Sequence, residues 1–372
     1  MKILIDARFY GLEHAGLGRY AINLIKELSK IDRKNTYAIL LRRRYFNRLK
    51  LPKSWRQVLA EVPHYSLREQ LELPQIISRE KPDIFHSLNP NVPIFYPGKL
   101  IVTVHDLTQL KFENKATTLS LPIYHLKHLG YALVFKKALT HASKIIVPSA
   151  FVKDELIKAF SLQPEKIAVI YEGVDSNVGS KFDSPKVLKN YKIDSDYFIY
   201  VGSAYPHKNL DRAIEAVKIL NRRVNRKAKL LISSSRSVFT KRIGDFIKKH
   251  DAGEFIKLLG FVPDEDLGTL LKHSIAFVFP SFEEGFGLPG LEAMSAGTIV
   301  LASDIPVFRE VYKDVHHYFD PHNVDSIKES MEKVINMNES ERKKLIEKGQ
   351  ELTKTYSWSK MADETLKVYN SI

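Results

Sequence analysis

The stretch Ile275-Ala-Phe-Val-Phe279-Pro280-Ser-Phe-Glu-Glu284-Gly-Phe-Gly-Leu-Pro289-Gly-Leu-Glu292-Ala-Met-Ser-Ala-Gly297 decides the reading of this 372-residue chain. Ile275 to Phe279 is a short uninterrupted apolar run, as a strand covered on both faces requires, and Pro289 marks the first turn of a following helix. Strand, glycine-rich loop and helix in that order put the loop above the carboxyl end of a sheet, where open α/β sheets bind ligands. Gly285 and Gly287 can take positive φ there, which leaves the amides of Phe286, Gly287 and Leu288 as outward donors at a helix N-terminus, an arrangement suited to phosphate. Glu284 and Glu292 flank this turn. A carboxylate beside a phosphate is repelled unless it meets another part of the same ligand, and vicinal sugar hydroxyls fit as paired donors to a double acceptor. Spacing alone leaves a plainer alternative open, in which Glu284 caps the helix and Glu292 is solvated.

Outward from this stretch the same alternation repeats. Ile3 to Ala7, Tyr37 to Leu41, Asp83 to His86, Ile101 to His105, Lys144 to Val147 and Ile167 to Ile170 read as strands with helices between them, Tyr20 to Leu28 being amphipathic. After a polar, turn-rich passage from Gly173 to about Asp196 a second series follows: Tyr197 to Val201, Leu230 to Ser233, Phe255 to Leu259, Ile275 to Phe279 and Ile299 to Ala302. Alternating strands and helices imply parallel sheets with right-handed crossovers. The fold class is therefore α/β with two doubly wound domains, and the chain is long enough for two cores.

No run is long enough to span a bilayer, and Asp6 and Arg8 interrupt the one N-terminal apolar stretch, so neither a transmembrane helix nor a signal peptide is expected and the cytoplasm is the expected location. The absence of cysteine excludes disulfides and thiolate chemistry. The net charge of +14 is uneven: residues 1 to 190 hold 30 Lys and Arg against 17 Asp and Glu, residues 191 to 372 hold 27 against 26. The densest basic stretch, Leu41 to Lys50 with Lys53, Trp55 and Arg56, and a second group at Lys127, His128, Lys136 and Lys137, point to an anionic membrane surface as a partner. A solvated basic face is the plain alternative. No recognition helix or RNA-binding motif supports a nucleic-acid partner.

The glutamate loop and eight further motifs in sequence carry a resemblance. Glu284-Gly-Phe-Gly-Leu-Pro-Gly-Leu-Glu292 is joined by Gly16-Leu-Gly18-Arg-Tyr, Pro82-Asp-Ile-Phe-His86, Val102-Thr-Val-His105-Asp106, Ile145-Ile-Val-Pro-Ser149 and Tyr171-Glu-Gly-Val-Asp175. In the second half come Tyr200-Val-Gly202-Ser203 with Pro206-His-Lys208-Asn209, Leu259-Gly260-Phe261-Val262, and Tyr318-Phe-Asp320-Pro. Over nearly its whole length the chain resembles the retaining glycosyltransferases of family 4. The resemblance implies the GT-B fold, two Rossmann-like domains facing a cleft. It implies an acceptor-binding domain at 1–175, a nucleotide-sugar donor domain at 176–355, and a final helix at 356–372 that returns to the first domain, anchored by Trp358.

The resemblance also implies roles. Glu284 takes the donor sugar's hydroxyls and Glu292 the ribose hydroxyls; Lys208, with the loop amides at Phe286, Gly287 and Leu288, holds the diphosphate. Gly202, Ser203 and Asn209 belong to the same donor site, Asn209 as the cap of the next helix. Gly260, Phe261 and Val262 line the base pocket, and His105 stands beside the transferred sugar, with His86 as wall. Gly16 and Gly18 lie on a loop over the cleft, the alternative being a plain strand-to-helix turn; residues Phe9 to Ala15 separate them from the strand, against a dinucleotide fingerprint. Many members carry an arginine where this chain has Ser203, so His207 and Arg212 are candidates to compensate.

Asp194-Ser-Asp196 and Asp264-Glu-Asp266 mimic a metal-binding Asp-x-Asp pair, but neither ends a strand. A turn and a helix cap account for them, and no metal or cofactor is expected. The activity implied is transfer of a hexose, with retention, from a nucleotide-diphosphate sugar to a glycan or lipid-linked acceptor. The wording around Tyr205 and Glu284 resembles bacterial mannosyltransferases of surface polysaccharide, which implies GDP-mannose, with a UDP-sugar as alternative. A nucleotide-sugar epimerase, a sugar phosphorylase and a non-catalytic basic membrane protein are the rival classes.

Overall fold

The computed structural model describes residues 1–111, 121–174, 184–223, 227–235, 237–315 and 317–372. The chain divides into two units, Met1–Gly173 with Trp358–Ile372, and Val174–Ser357.

The first unit contains β1 (Lys2–Asp6), α1 (Ala15–Ile31), β2 (Thr36–Leu41), β3 (Arg56–Leu59), α2 (Leu67–Glu80), β4 (Ile84–Ser87), β5 (Leu100–Thr103), α3 (Thr108–Lys111), α4 (Leu121–His141), β6 (Lys144–Val147), α5 (Ala150–Phe160) and β7 (Ile167–Val169). Its strands run parallel in the order β3-β2-β1-β4-β5-β6-β7. The central strands are buried along nearly their whole length, which is why they read as apolar runs without alternation. Ser149, the last residue of its motif, caps α5 by accepting the Val152 amide.

The second unit contains α6 (Pro185–Asn190), β8 (Tyr197–Val201), α7 (Leu210–Arg223), β9 (Lys229–Ser233), α8 (Val238–Lys249), β10 (Ile256–Gly260), α9 (Asp264–Lys272), β11 (Phe277–Phe279), α10 (Leu288–Ser295), β12 (Val300–Ser303), α11 (Pro306–Tyr312), β13 (His317–Phe319), α12 (Val324–Ile335) and α13 (Glu339–Thr353). These strands are also parallel, in the order β10-β9-β8-β11-β12-β13. The strand order reverses between β1 and β4 in one sheet and between β8 and β11 in the other.

Several expectations change. Two edge strands were not legible: β3 begins at Arg56, inside what reads as a basic surface stretch, and β13 holds Tyr318. Trp55 beside β3 is buried, its ring 4.0 Å from that of Tyr37. The turn-rich passage after Gly173 contains α6, and residues 175 to 183 of it, Asp175 included, lie outside the described residues.

The last helix, α14 (Trp358–Asn370), belongs to the first unit and packs on α1. Trp358 is buried, and Tyr369 at the far end is fully so, its hydroxyl 2.7 Å from His86 Nδ1. His86 Nε2 reaches Thr103 Oγ1 at 2.8 Å, and burial drives the ring's pKa down to about 3, so it is a neutral core group.

Candidate active site

In the second unit the reversal of strand order opens a crevice at the carboxyl ends of β8 and β11. Gly202 and Ser203 follow β8. Gly202 has φ 152°, its amide donates to the Ser233 carbonyl at 3.0 Å, and a Cβ there would stand 2.8 Å from the Tyr200 hydroxyl, which itself donates to the Ser203 carbonyl at 2.6 Å. A single 3₁₀ turn, Pro206–Lys208, then raises Lys208 beside the loop that follows β11. Its Nζ donates to Glu284 Oε1 at 2.5 Å, and Ser281 Oγ donates to the same oxygen at 2.7 Å.

The two loops are joined by more than charge. The Phe282 amide donates to the His207 carbonyl at 2.8 Å, and Asn209 Nδ2 donates to the carbonyls of Pro280 and Pro321 at 2.9 and 2.8 Å. Lys208 and Glu284 are both largely buried, where a paired charge is held far more firmly than at the surface. The result is one cation and one carboxylate, fixed to each other at a sheet's switch point.

The glycine loop is shaped from beneath. Gly287 takes φ 96° as the N-cap residue of α10, and its carbonyl accepts the Tyr312 hydroxyl. An added Cβ would meet Tyr312 Oη at 2.4 Å on Gly287 and at 2.2 Å on Gly290. Tyr312 thus occupies the space both glycines leave, and the Gly287 carbonyl also accepts the Gly290 amide at 3.1 Å. Phe286 is buried edge-on against Tyr356, 5.6 Å between centroids. Glu292 is buried one turn into α10.

Family profiles match the chain twice, "Glycosyltransferase Family 4" over residues 14–178 and "Glycosyl transferases group 1" over residues 183–352. The chain is a family 4, group 1 glycosyltransferase. The O-antigen chain mannosyltransferase B of Escherichia coli is 26% identical to it, over 99% of each chain. The O-antigen chain mannosyltransferase RfbU of Salmonella typhimurium is 29% identical over 60% of this chain and 61% of that one. In fold, the glycosyltransferase superposes on Anabaena HepE, solved with UDP and glucose, with a TM-score of 0.75 over the full length of both chains at 16% identity. Its architecture is GT-B.

In this glycosyltransferase the structure brings together Gly202, Ser203, Lys208, Asn209, Ser281 and Glu284. Gly260 ends β10 at φ 76°, with Val262 buried and Phe261 63% exposed after it. An aromatic ring left in solvent at a strand's carboxyl end is a ready stacking surface.

Five expectations are corrected. Asn209 does not cap α7 through its side chain: it lies in the left-handed region at φ 56°, and its Oδ1 accepts from Arg212 Nη1. Arg212 is spent on that bond and on the Phe282 ring, 5.2 Å away. His207 is no spare cation, because burial, with Lys208 adjacent, drives its pKa down to about 3. Gly285 is absent from the positive-φ glycines, so the left-handed turn rests on Gly287 alone. Gly16 and Gly18 lie in the first turn of α1 rather than on a loop, and a Cβ on Gly18 would stand 1.8 Å from the Gly11 carbonyl oxygen. Gly18 is needed for close packing, and the positive-φ residues of that loop are Gly11, at φ 126°, and Ala15, at φ 50°.

In the first unit His105 lies two residues past β5, partly buried, with Nδ1 3.0 Å from Glu172 Oε1 and Nε2 3.2 Å from the Leu88 carbonyl. Both ring nitrogens therefore face oxygen acceptors. Beside β1 an unforeseen network appears: buried Arg8 donates to Asp6 at 2.8 and 2.6 Å, to Glu69 at 2.7 Å and to the Val62 carbonyl at 3.1 Å, and Asn91 Nδ2 donates to Glu69. The sequence signal was two charges inside or beside an apolar strand, which demand buried partners. Neither acidic triplet ends a strand. Asp194 is exposed, 3.4 Å from Lys229, and Asp264 to Asp266 form the first turn of α9 with Pro263, not an aspartate, at the cap.

Proposed function

We propose that the chain transfers a hexose, mannose from GDP-mannose, to a hydroxyl of a glycan or lipid-linked acceptor, with retention at the anomeric carbon and without a metal ion. The observation that carries this reading is the contact of Lys208 with Glu284 at the β8/β11 switch point. A cation and a carboxylate held side by side match the two ends of a sugar diphosphate. Lys208 takes the diphosphate together with the amides of the Gly287 turn, and Glu284 exchanges its ammonium partner for sugar hydroxyls. Glu292 takes the ribose hydroxyls, and Phe261, with Gly260 and Val262, receives the base. The names of the bacterial relatives favour mannose.

The bond from the anomeric carbon to the diphosphate oxygen breaks as the acceptor oxygen bonds to the same face. The acceptor proton passes to the departing phosphate oxygen, and the negative charge leaves on the diphosphate. No side chain is needed as nucleophile; the protein's contribution is electrostatic. His105 stands past the carboxyl end of β5 in the first unit, and the acceptor binds that unit. The enzyme works in the cytoplasm, peripherally on an anionic membrane.

Thermal stabilisation by GDP, UDP and dTDP tests the donor: a ligand at a hundred times its dissociation constant adds about 2.7 kcal/mol. GDP is expected to act at the lowest concentration, and a response to UDP alone overturns the GDP reading. Magnetic resonance of the product's anomeric proton tests retention. Activity abolished by a chelator and restored by manganese overturns metal independence.

A further inference from the structure

The exposed face of α4 carries three leucines that nothing in the described structure covers. Leu126, Leu129 and Leu133 are 73, 59 and 61% exposed, and their i, i+3, i+7 spacing puts them on one side of the helix. The opposite side holds Phe135, Ala138 and Leu139 in the core of the first unit. The outer face continues past Leu133 into exposed Lys136 and Lys137, and α4 contains no acidic residue. The basic stretch at 41 to 56 is a weaker surface: Arg44 is held by Glu13 at 2.9 Å, Arg56 by Glu80, and Trp55 is buried.

We infer that the outer face of α4 docks the enzyme on an anionic lipid bilayer, with Leu126, Leu129 and Leu133 entering the interface and Lys136 and Lys137 meeting the headgroups. This deepens the membrane reading proposed above. A leucine stripe without charges would suit a second copy of the chain equally well. The two lysines on the same face, in a helix without carboxylates, argue against it: two such faces meeting would oppose like charges, whereas an anionic bilayer neutralises them. No helix among the described residues is long and apolar enough to cross a membrane, so this contact is at the surface.

Co-sedimentation of the full chain with vesicles of phosphatidylglycerol and phosphatidylcholine, against pure phosphatidylcholine, tests it. Binding is expected to the anionic vesicles and to weaken with salt. The triple variant Leu126→Ser/Leu129→Ser/Leu133→Ser loses affinity on the order of tenfold or more, and Lys136→Glu/Lys137→Glu does so too. All five positions are exposed, and an unchanged circular-dichroism melt verifies folding in each variant. Equal sedimentation of wild type and both variants overturns the proposal, as does a wild-type dimer that the serine variant dissociates and that ignores vesicles. A chain stabilised by GDP yet indifferent to vesicles removes this docking face and leaves sugar transfer standing; vesicle binding without any nucleotide response does the reverse.

Discussion

Lys208 Nζ lies 2.5 Å from Glu284 Oε1, across the junction of two loops that are 76 residues apart in the chain. Each side chain is the other's charged partner, so the two positions should behave as one unit. Lys208→Met and Glu284→Gln are each expected to lower kcat on the order of 10²- to 10³-fold. The double variant should lose much less than the product of the single losses. Steady-state transfer rates of the three variants check this, and strictly multiplicative losses would show that the pair is not shared.

Gly290 and Tyr312 make a steric test of the loop's foundation. Gly290→Ala pushes a methyl group against Tyr312 Oη, which an overpacked site resists by about 1 to 3 kcal/mol. Its melting temperature should fall, and adding Tyr312→Phe should restore part of the loss by removing the oxygen. A Gly290→Ala protein as stable as wild type would mean that the α10 turn does not lean on Tyr312.

Phe261 offers its ring to solvent where a nucleoside base is proposed to stack. Phe261→Ala should weaken binding of the nucleoside diphosphate by about 1 to 3 kcal/mol, with Phe261→Tyr near wild type. Isothermal titration calorimetry reads this directly. Unchanged affinity in the alanine variant places the base elsewhere.

Acid should weaken the fold in a defined window. His86 and His207 are held neutral down to about pH 3, by burial above all, whereas in the unfolded chain each takes up a proton near pH 6.5. Below pH 6.5 the unfolded state therefore binds more protons, and stability falls with pH by up to about 1.4 kcal/mol per unit for each histidine. Melting temperatures between pH 7.5 and pH 5, for wild type and for His86→Gln and His207→Gln, should show the slope and its flattening. A wild-type profile level down to pH 5 contradicts the neutral assignments.

Much of this was written locally. Apolar runs such as Ile3 to Ile5 and Phe277 to Phe279 are strands because both faces of a parallel sheet are covered, and that demand shows in composition alone. Edge strands lack it: β3 is only half buried, so Arg56 to Leu59 looks like surface. Asn209 reads as a cap from its place before a helix and is not one, because the carbonyls of Pro280 and Pro321 that claim its amide are 71 and 112 residues away.

The sequence by itself determined the α/β class, the order of the motifs and the identity of the glutamate loop, since each depends on neighbours within one turn or one strand. Only the tertiary structure decided who meets whom: Lys208 with Glu284, Tyr312 beneath Gly287 and Gly290, and Arg8 inside a cage of Asp6 and Glu69. The reason is physical. Propensity and periodicity are set by a few adjacent bonds, whereas ion pairs and steric fits depend on where a twisted sheet carries the ends of distant strands.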